Sequence, residues 1–520
     1  MAEAKHESGQ TPGQRRESPR PVPAASRGSA VLVAISLVAV AALLAGSVVA
    51  YAAARSGGNS APRSTASPSA SAAIPSTYLV EPTGIPIAHR TPIRWFVGLG
   101  SGTLTSQIEN ERAFVANYNA DNKDGVAIEL EVVANGNAYD VLKTEMAAGA
   151  APDIIGPVGG GGRNGLGGAF LDLTQEIAKN KVDLAGYDPA LVAYLQEGGA
   201  QIGLPYDIFP GYVWYNKDLF KAAGLPDLPT RIGEQYQGQD WTWETMAKVA
   251  GQLTVDKNGH RSTDSGFDGN EILQYGLDFQ GAEARAIASC FGGGSFVGSD
   301  GKTAQIPGAW ADAFSWYYSA IWNRHFIPDG AAEASALLGN GHPEASGRVA
   351  MNVGWAWSLP SIASSASAAR VKSWDIAVMP SWKGTTTSPL DADTFTISRT
   401  SKNPDAAFKA MRAIEADPTL MRTYGAEPAR SADQAAYFAS FDAALSPLFP
   451  GNRVTWNVLG EMVRVPAIPS QEVDLPASVK SNADIATFLN LLRNVGGLDM
   501  NVEMANLRQT LQKDFDAPAP

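Results

Sequence analysis

The residues best equipped for chemistry are aromatic rings and acids placed side by side: Tyr206 with Asp207, Trp355 with Trp357, Asp391 with Asp393. Together they suit a polyhydroxylated molecule. Flat rings cover C–H faces much as aromatic side chains pack on one another. Carboxylates and amides accept from hydroxyls, often in charge-assisted bonds. The same paired acids would serve a glycosidase, which needs two carboxylates flanking the scissile bond. Nothing in the residue pattern separates these two uses. Other chemistries have little to draw on. The five His show no H-x-x-x-H or H-E-x-x-H spacing, and the single Cys290 rules out an internal disulfide or a Cys-rich zinc site. There is no G-x-S-x-G nucleophile elbow. No cofactor and no metal is expected.

The elements that must position these residues are centred on Gly203–Gly224, GLPYDIFPGYVWYNKDLFKAAG. Leu204 and Pro205 end an incoming strand, and Tyr212–Tyr215 is a run of strand type. Asn216 caps a helix over Lys217–Ala223, closed by Gly224 with Pro226 beyond. A chain that makes a strand and at once starts a helix can cross between two lobes, with Tyr206, Asp207, Phe209 and Tyr212 facing a cleft.

Upstream, strands Ile93–Val97, Val126–Val133 and Asp153–Val158 alternate with helices Leu104–Asn119 and Tyr139–Ala148. That alternation predicts a mostly parallel sheet with helices on both faces. Gly159–Gly168 lacks the G-K-[ST] of a phosphate loop and reads as a pliable loop at a strand's C-terminal edge. Arg163 within it either meets a ligand or is solvated. Downstream, Thr242 caps a helix, and Asp256–Asp268 reads as a hairpin tip because its glycine is misplaced for a calcium loop. Ala309–Phe326 is an aromatic core helix. Arg348–Val353 is a strand feeding Gly354–Ser358, where two Trp beside Gly and Ser offer Trp355 for stacking on a ligand. Asp375–Pro380 and Thr394–Ser398 are strands flanking a loop that ends SPLDAD, and Asn403 caps a helix opened by Pro404.

The 520 residues carry a formal charge of −12. The first 90 hold eight Lys or Arg against four acids, leaving −16 on residues 91–520. A body that acidic repels phosphate backbones and disfavours nucleic-acid binding. Residues 1–29 read as a disordered cytoplasmic tail. Ala30–Ala54 is 25 residues without a charge, long enough to span a bilayer, with five Lys or Arg before it. It is either a transmembrane anchor or a cleaved signal ending at Val48-Val49-Ala50, and both readings put the body outside the cytoplasm. Residues 55–90 make a Ser/Ala/Pro stalk.

Six segments stand in an order that carries a resemblance: AAGAAPDII, FLDLT, LPYDIFPGYVWYNKDLF, PTRIGEQYQGQDWTWETM, GRVAMNVGWAWS, and DIAVMPSWKG through TISRTSKNPDAAFKAM. Over roughly Thr91–Arg430 the chain resembles extracellular solute-binding proteins of sugar-import ABC systems, the maltose-binding proteins among them. The resemblance implies an α/β, two-lobed periplasmic-binding-protein-like fold with a ligand cleft between the lobes. One lobe would hold 91–209 plus about 374–420, the other 210–373 plus about 421–520, with crossings near Pro210 and Trp374 and a return near Met421. It implies no enzymatic step. A monomeric body would close on a mono- or oligosaccharide and hand it to permease subunits driven by a cytoplasmic ATPase. The ligand set it suggests is Ser101, Arg163, Tyr206, Asp207, Phe209, Gln280, Trp355, Trp357, Asp391, Asp393 and Arg430. Trp355 matches the maltodextrin binders' sugar-stacking Trp, and Phe209 stands where some relatives carry an acid. A cell-surface glycoside-active enzyme and a binder of a non-sugar solute are the alternatives.

Overall fold

The computed structural model describes residues 79–81, 90–279, 283–339 and 343–517. The expected tail, the apolar run Ala30–Ala54 and most of the stalk lie outside these residues. Among the described residues no helix is long and apolar enough to cross a membrane.

Ten strands form the main sheet: β1 (Leu79–Glu81), β2 (Thr91–Val97), β3 (Val126–Val132), β4 (Ile154–Val158), β5 (Asp207–Asn216), β6 (Asp278–Phe279), β7 (Met351–Trp355), β8 (Trp374–Ala377), β9 (Leu390–Ile397) and β10 (Glu427–Pro428). The path runs β1-β3-β2-β4-β9-β5-β7-β6, and β8 and β10 also pair with β5. Around this path the chain builds two lobes with separate apolar cores. The smaller lobe packs Ile93, Trp95 and Val97 of β2 under helices Thr105–Asp121 and Pro404–Glu415. The opposite face of the same strand sends Phe96 to Ala138 and Leu142 of helix Asn135–Ala147. Helices therefore cover both faces, as the alternation predicts. The larger lobe gathers Tyr212–Tyr215, Trp243, Trp310, Phe314, Trp355 and Trp374, with Leu489 and Leu511 from the C-terminal helices.

β5 joins the two. All ten of its residues are buried, and each fully buried Val or larger apolar side chain contributes about 1.5–3 kcal/mol. Its first half pairs with β9 and β10, its second half with β7 and β8. Pro210, which cannot donate to a ladder, stands opposite Leu390 where the β9 pairing ends, and Gly211 opposite Trp355 where the β7 pairing begins. Asn216 caps helix Lys217–Ala222 by accepting from the Asp218 and Leu219 N–H groups.

Four features differ from the sequence reading. The sheet is parallel only for β2 with β3 and β4 and for β6 with β7, while β5 runs antiparallel to all four neighbours. A chain that leaves one lobe and returns must lay its return strand against the outgoing one in the opposite sense. The expected SPLDAD loop is largely strand, because Leu390–Asp393 pair with β5 residue for residue; Asp has low intrinsic strand preference, so the pattern hides it. Trp374, Ile376 and Met379 pack in the larger core, so the chain re-enters the smaller lobe along β9 and not near Trp374. Asn403 precedes a helix that begins at Pro404, but makes no side-chain cap.

Candidate functional site

The C-terminal ends of β2 and β4 form one edge of the smaller lobe, and Asp393 of β9 lodges there. A Cβ on Gly100 would sit 2.9 Å from Asp393 Oδ2, and one on Gly159 2.8 Å from its Oδ1. At Gly100 the Pro157 carbonyl oxygen, 2.6 Å from such a Cβ, leaves room for glycine alone. Directly after β4, Gly160–Arg163 coils into one helical turn, where the sequence suggested only a loop.

A third acid arrives from far along the chain. Glu472 accepts from the Gly160 and Gly161 N–H groups at 3.1 Å each and from the Tyr194 hydroxyl at 2.8 Å. Its carbonyl accepts from Asn164 Nδ2 at 3.1 Å. The neighbouring Gln471 amide donates to Asp391, and Arg285 of the larger lobe donates to the Val473 carbonyl at 2.8 Å. Residues 471–473 thus connect the β4 edge, the returning strand and the larger lobe. Arg163 is 6% exposed; it pairs with Glu197 at 3.3 Å and lies over the Tyr194 ring.

Acids crowded together out of water resist ionisation. Burial, and then Glu472, push Asp393 up to about 7, partly offset by the Ser101 main chain. Burial, Glu472 and Asp393 raise Asp391 well above the usual carboxylate range. Asp207 stands directly across the ladder from Asp393, so the two side chains share a face. It is fully buried, neither oxygen has a hydrogen-bond partner of normal geometry, and burial followed by Asp393 raises its pKa strongly.

The remaining candidates lie elsewhere. Trp355 is 1% exposed and stacks on Trp357 with ring centroids 6.2 Å apart and planes 14° apart. The ring that the sequence offers to a ligand is here committed to its neighbour and the larger core. Phe209 is buried in that same core. Tyr206 packs edge-on against Phe395 and Tyr424 in the smaller core. Gln280 lies outside the described residues. Tyr206 and Arg430 line a cavity of about 600 Å³ with Tyr187, Met421, Pro428 and Tyr437, and no member of the acid cluster lines it. Sequence reasoning missed Tyr194, Gln471 and Glu472. Their segments have no periodicity, and nothing local announces partners 80 to 312 residues away. Among the described residues no group of His, Cys, Asp and Glu could hold a metal ion.

Comparison with known proteins decides the family. A family model described as bacterial extracellular solute-binding protein matches residues 102–417. The chain belongs to that family. A Deinococcus radiodurans protein described as a probable ABC transporter-binding protein is 28% identical over 139 residues, 26% of this chain and 29% of that protein. The aligned part therefore spans less than a third of that relative. Among solved structures, a Listeria monocytogenes ABC substrate-binding protein in complex with cycloalternan is 19% identical, covering 82% of this chain and 98% of its own, with a TM-score of 0.60. A Thermotoga lettingae solute-binding protein bound with alpha-D-tagatose gives 18%, 82%, 99% and 0.60. The maltose/maltodextrin-binding domain of Bdellovibrio bacteriovorus, bound to maltotriose, gives 14%, 81%, 99% and 0.58. At such identities the likeness establishes the two-lobed α/β fold of solute-binding proteins.

Proposed function

We propose that this chain is the extracytoplasmic solute-binding component of an ABC importer and captures a carbohydrate between its lobes. The observation that carries this reading is the convergence of Asp391, Asp393 and Glu472 on the strand ends of the smaller lobe, bridged to the larger lobe through residues 471–473. Carboxylates in that position accept from sugar hydroxyls, and water-poor surroundings strengthen each bond. Family membership supports capture and delivery without a covalent step, and three similar structures hold saccharides. A solute touching both lobes binds the closed form more tightly and shifts the population towards it. The closed shape is then what a permease reads, and the apolar run at 30–54 tethers the body to the membrane.

The test is calorimetric titration of the full chain with a panel of mono- and oligosaccharides, with chromatography of the mixture after long incubation. We expect saturable binding of at least one sugar, no product, and, at about pH 8, where Asp393 has given up its proton, about tenfold or greater weakening in Asp393→Asn, the loss of one charge-assisted bond. Absence of binding across the panel, or turnover, overturns the reading.

A further inference from the structure

The cavity of about 600 Å³ beside the crossing strand is lined by three hydrogen-bond donors that have no acceptor, and by one carboxylate oxygen, Glu415 Oε1, that has no donor. Tyr206 and Tyr437 are 4% and 7% exposed, and neither phenolic oxygen has a partner. Arg430 Nε is buried without a hydrogen bond; its nearest carboxylate oxygen, on Asp433, stands 3.7 Å away. Burying a donor without an acceptor is costly, and here three border one space.

The charges around it are balanced, with Arg412, Arg422 and Arg430 set against Glu415, Asp417 and Asp433 in the lining. Arg412 is paired with Glu415, and Asp417 spends one oxygen on the Thr419 and Leu420 N–H groups. Arg422 and Arg430 then share the lining with Asp433 and the second oxygen of Asp417, so it is the unpaired donors and not a net charge that mark the space. The 15-residue helix Ser431–Leu445 starts at the cavity wall, its N-cap Arg430 supplying no side-chain cap. Its positive end favours an anion, a preference that Asp433 in its first turn meets in part. Met421 and Pro428 add apolar wall.

We propose that this cavity is a second ligand site, separate from the acidic cluster, for a small organic molecule bearing one oxyanion, a carboxylate or a phosphate monoester. Its oxygens accept from Tyr206, Tyr437 and Arg430, and its carbon skeleton lies against Met421 and Pro428. Tyr206 packs in the smaller core and Tyr437 in the larger, so the occupant touches both lobes.

Thermal-shift and calorimetric titrations of the full chain with sodium benzoate, sodium lactate and glycerol 3-phosphate, against sodium chloride at matched ionic strength, test this. At least one probe is expected to bind saturably and raise the melting temperature, as a ligand of the native state does. Benzoate or lactate alone would assign a carboxylate, and glycerol 3-phosphate alone a phosphate. Tyr437→Phe keeps the ring and removes the donor, and is expected to weaken binding about tenfold or more, as is Arg430→Gln. The melting temperature of each variant in chloride reports its fold. Binding is expected to persist in Asp393→Asn, which separates this site from the carbohydrate reading. No saturable binding, binding unchanged in both cavity variants, or binding lost in Asp393→Asn but kept in Tyr437→Phe overturns the proposal.

Discussion

The acidic cluster and the cavity beside the crossing strand draw on adjacent residues yet differ in chemistry. The cluster collects acceptors: Asp207, Asp391, Asp393 and Glu472. The cavity collects donors, Tyr206, Tyr437 and Arg430, beside the single unpaired oxygen of Glu415. Tyr206 and Asp207 are neighbours in the chain, but successive residues of extended backbone point to opposite sides. Adjacency in sequence invites reading the two as one site; the alternation puts them on different faces, yet Asp207 remains the leading charged neighbour of both the Tyr206 and the Tyr437 hydroxyl.

The largest effect expected concerns the larger core. If Trp355 belongs to the core, Trp355→Ala costs about 3–5 kcal/mol of stability, as large-to-small core changes do, measured by denaturant unfolding. A loss within experimental error would return the ring to the ligand side of the comparison. Next comes the acidic side itself. Glu472→Ala leaves the Gly160 and Gly161 N–H groups and the Tyr194 hydroxyl without their acceptor, at about 1–3 kcal/mol. Faster amide exchange confined to residues 159–164 is the expected signature, and unchanged protection there would show that the contact bears no weight.

A pH series sharpens the contrast further. Asp393 holds its proton up to about pH 7 in the folded protein, against about 4 in the unfolded chain. Between those values the folded state binds more protons, so this group's contribution to stability is present at low pH and declines as pH rises to about 7. Asp393→Asn should flatten the fall of stability over that window by up to a few kcal/mol. An unchanged slope would mean that Asp393 is already ionised. The smallest effect belongs to the donor side: Tyr206→Phe removes an unpaired hydroxyl and should leave stability within about 1 kcal/mol of the parent. A larger loss would reveal a partner for that oxygen.

The sequence exposes those parts of the fold whose causes are local. The alternating strands and helices from Thr91 to Val158, the Asn216 cap and the aromatic helix around Trp310 follow from propensity and period, and six ordered segments carry the family. Leu390–Asp393 escaped because their extended form is imposed by β5, against the preference of two aspartates. Asp391, Asp393 and Arg163 were legible as chemistry-bearing residues near strand ends. Glu472 was not, since its significance lies wholly in contacts with residues some 300 positions earlier, and Trp355 looked like a ligand plate because sequence cannot show that Trp357 covers it.

β5 is hydrogen-bonded to the smaller lobe by its first half and to the larger by its second, with no exposed residue at the join. Melting either lobe strips partners from a ladder the other also uses, so the pair should denature as one cooperative unit. A single calorimetric peak, with equal van't Hoff and measured enthalpies, is the thermodynamic mark of that shared backbone.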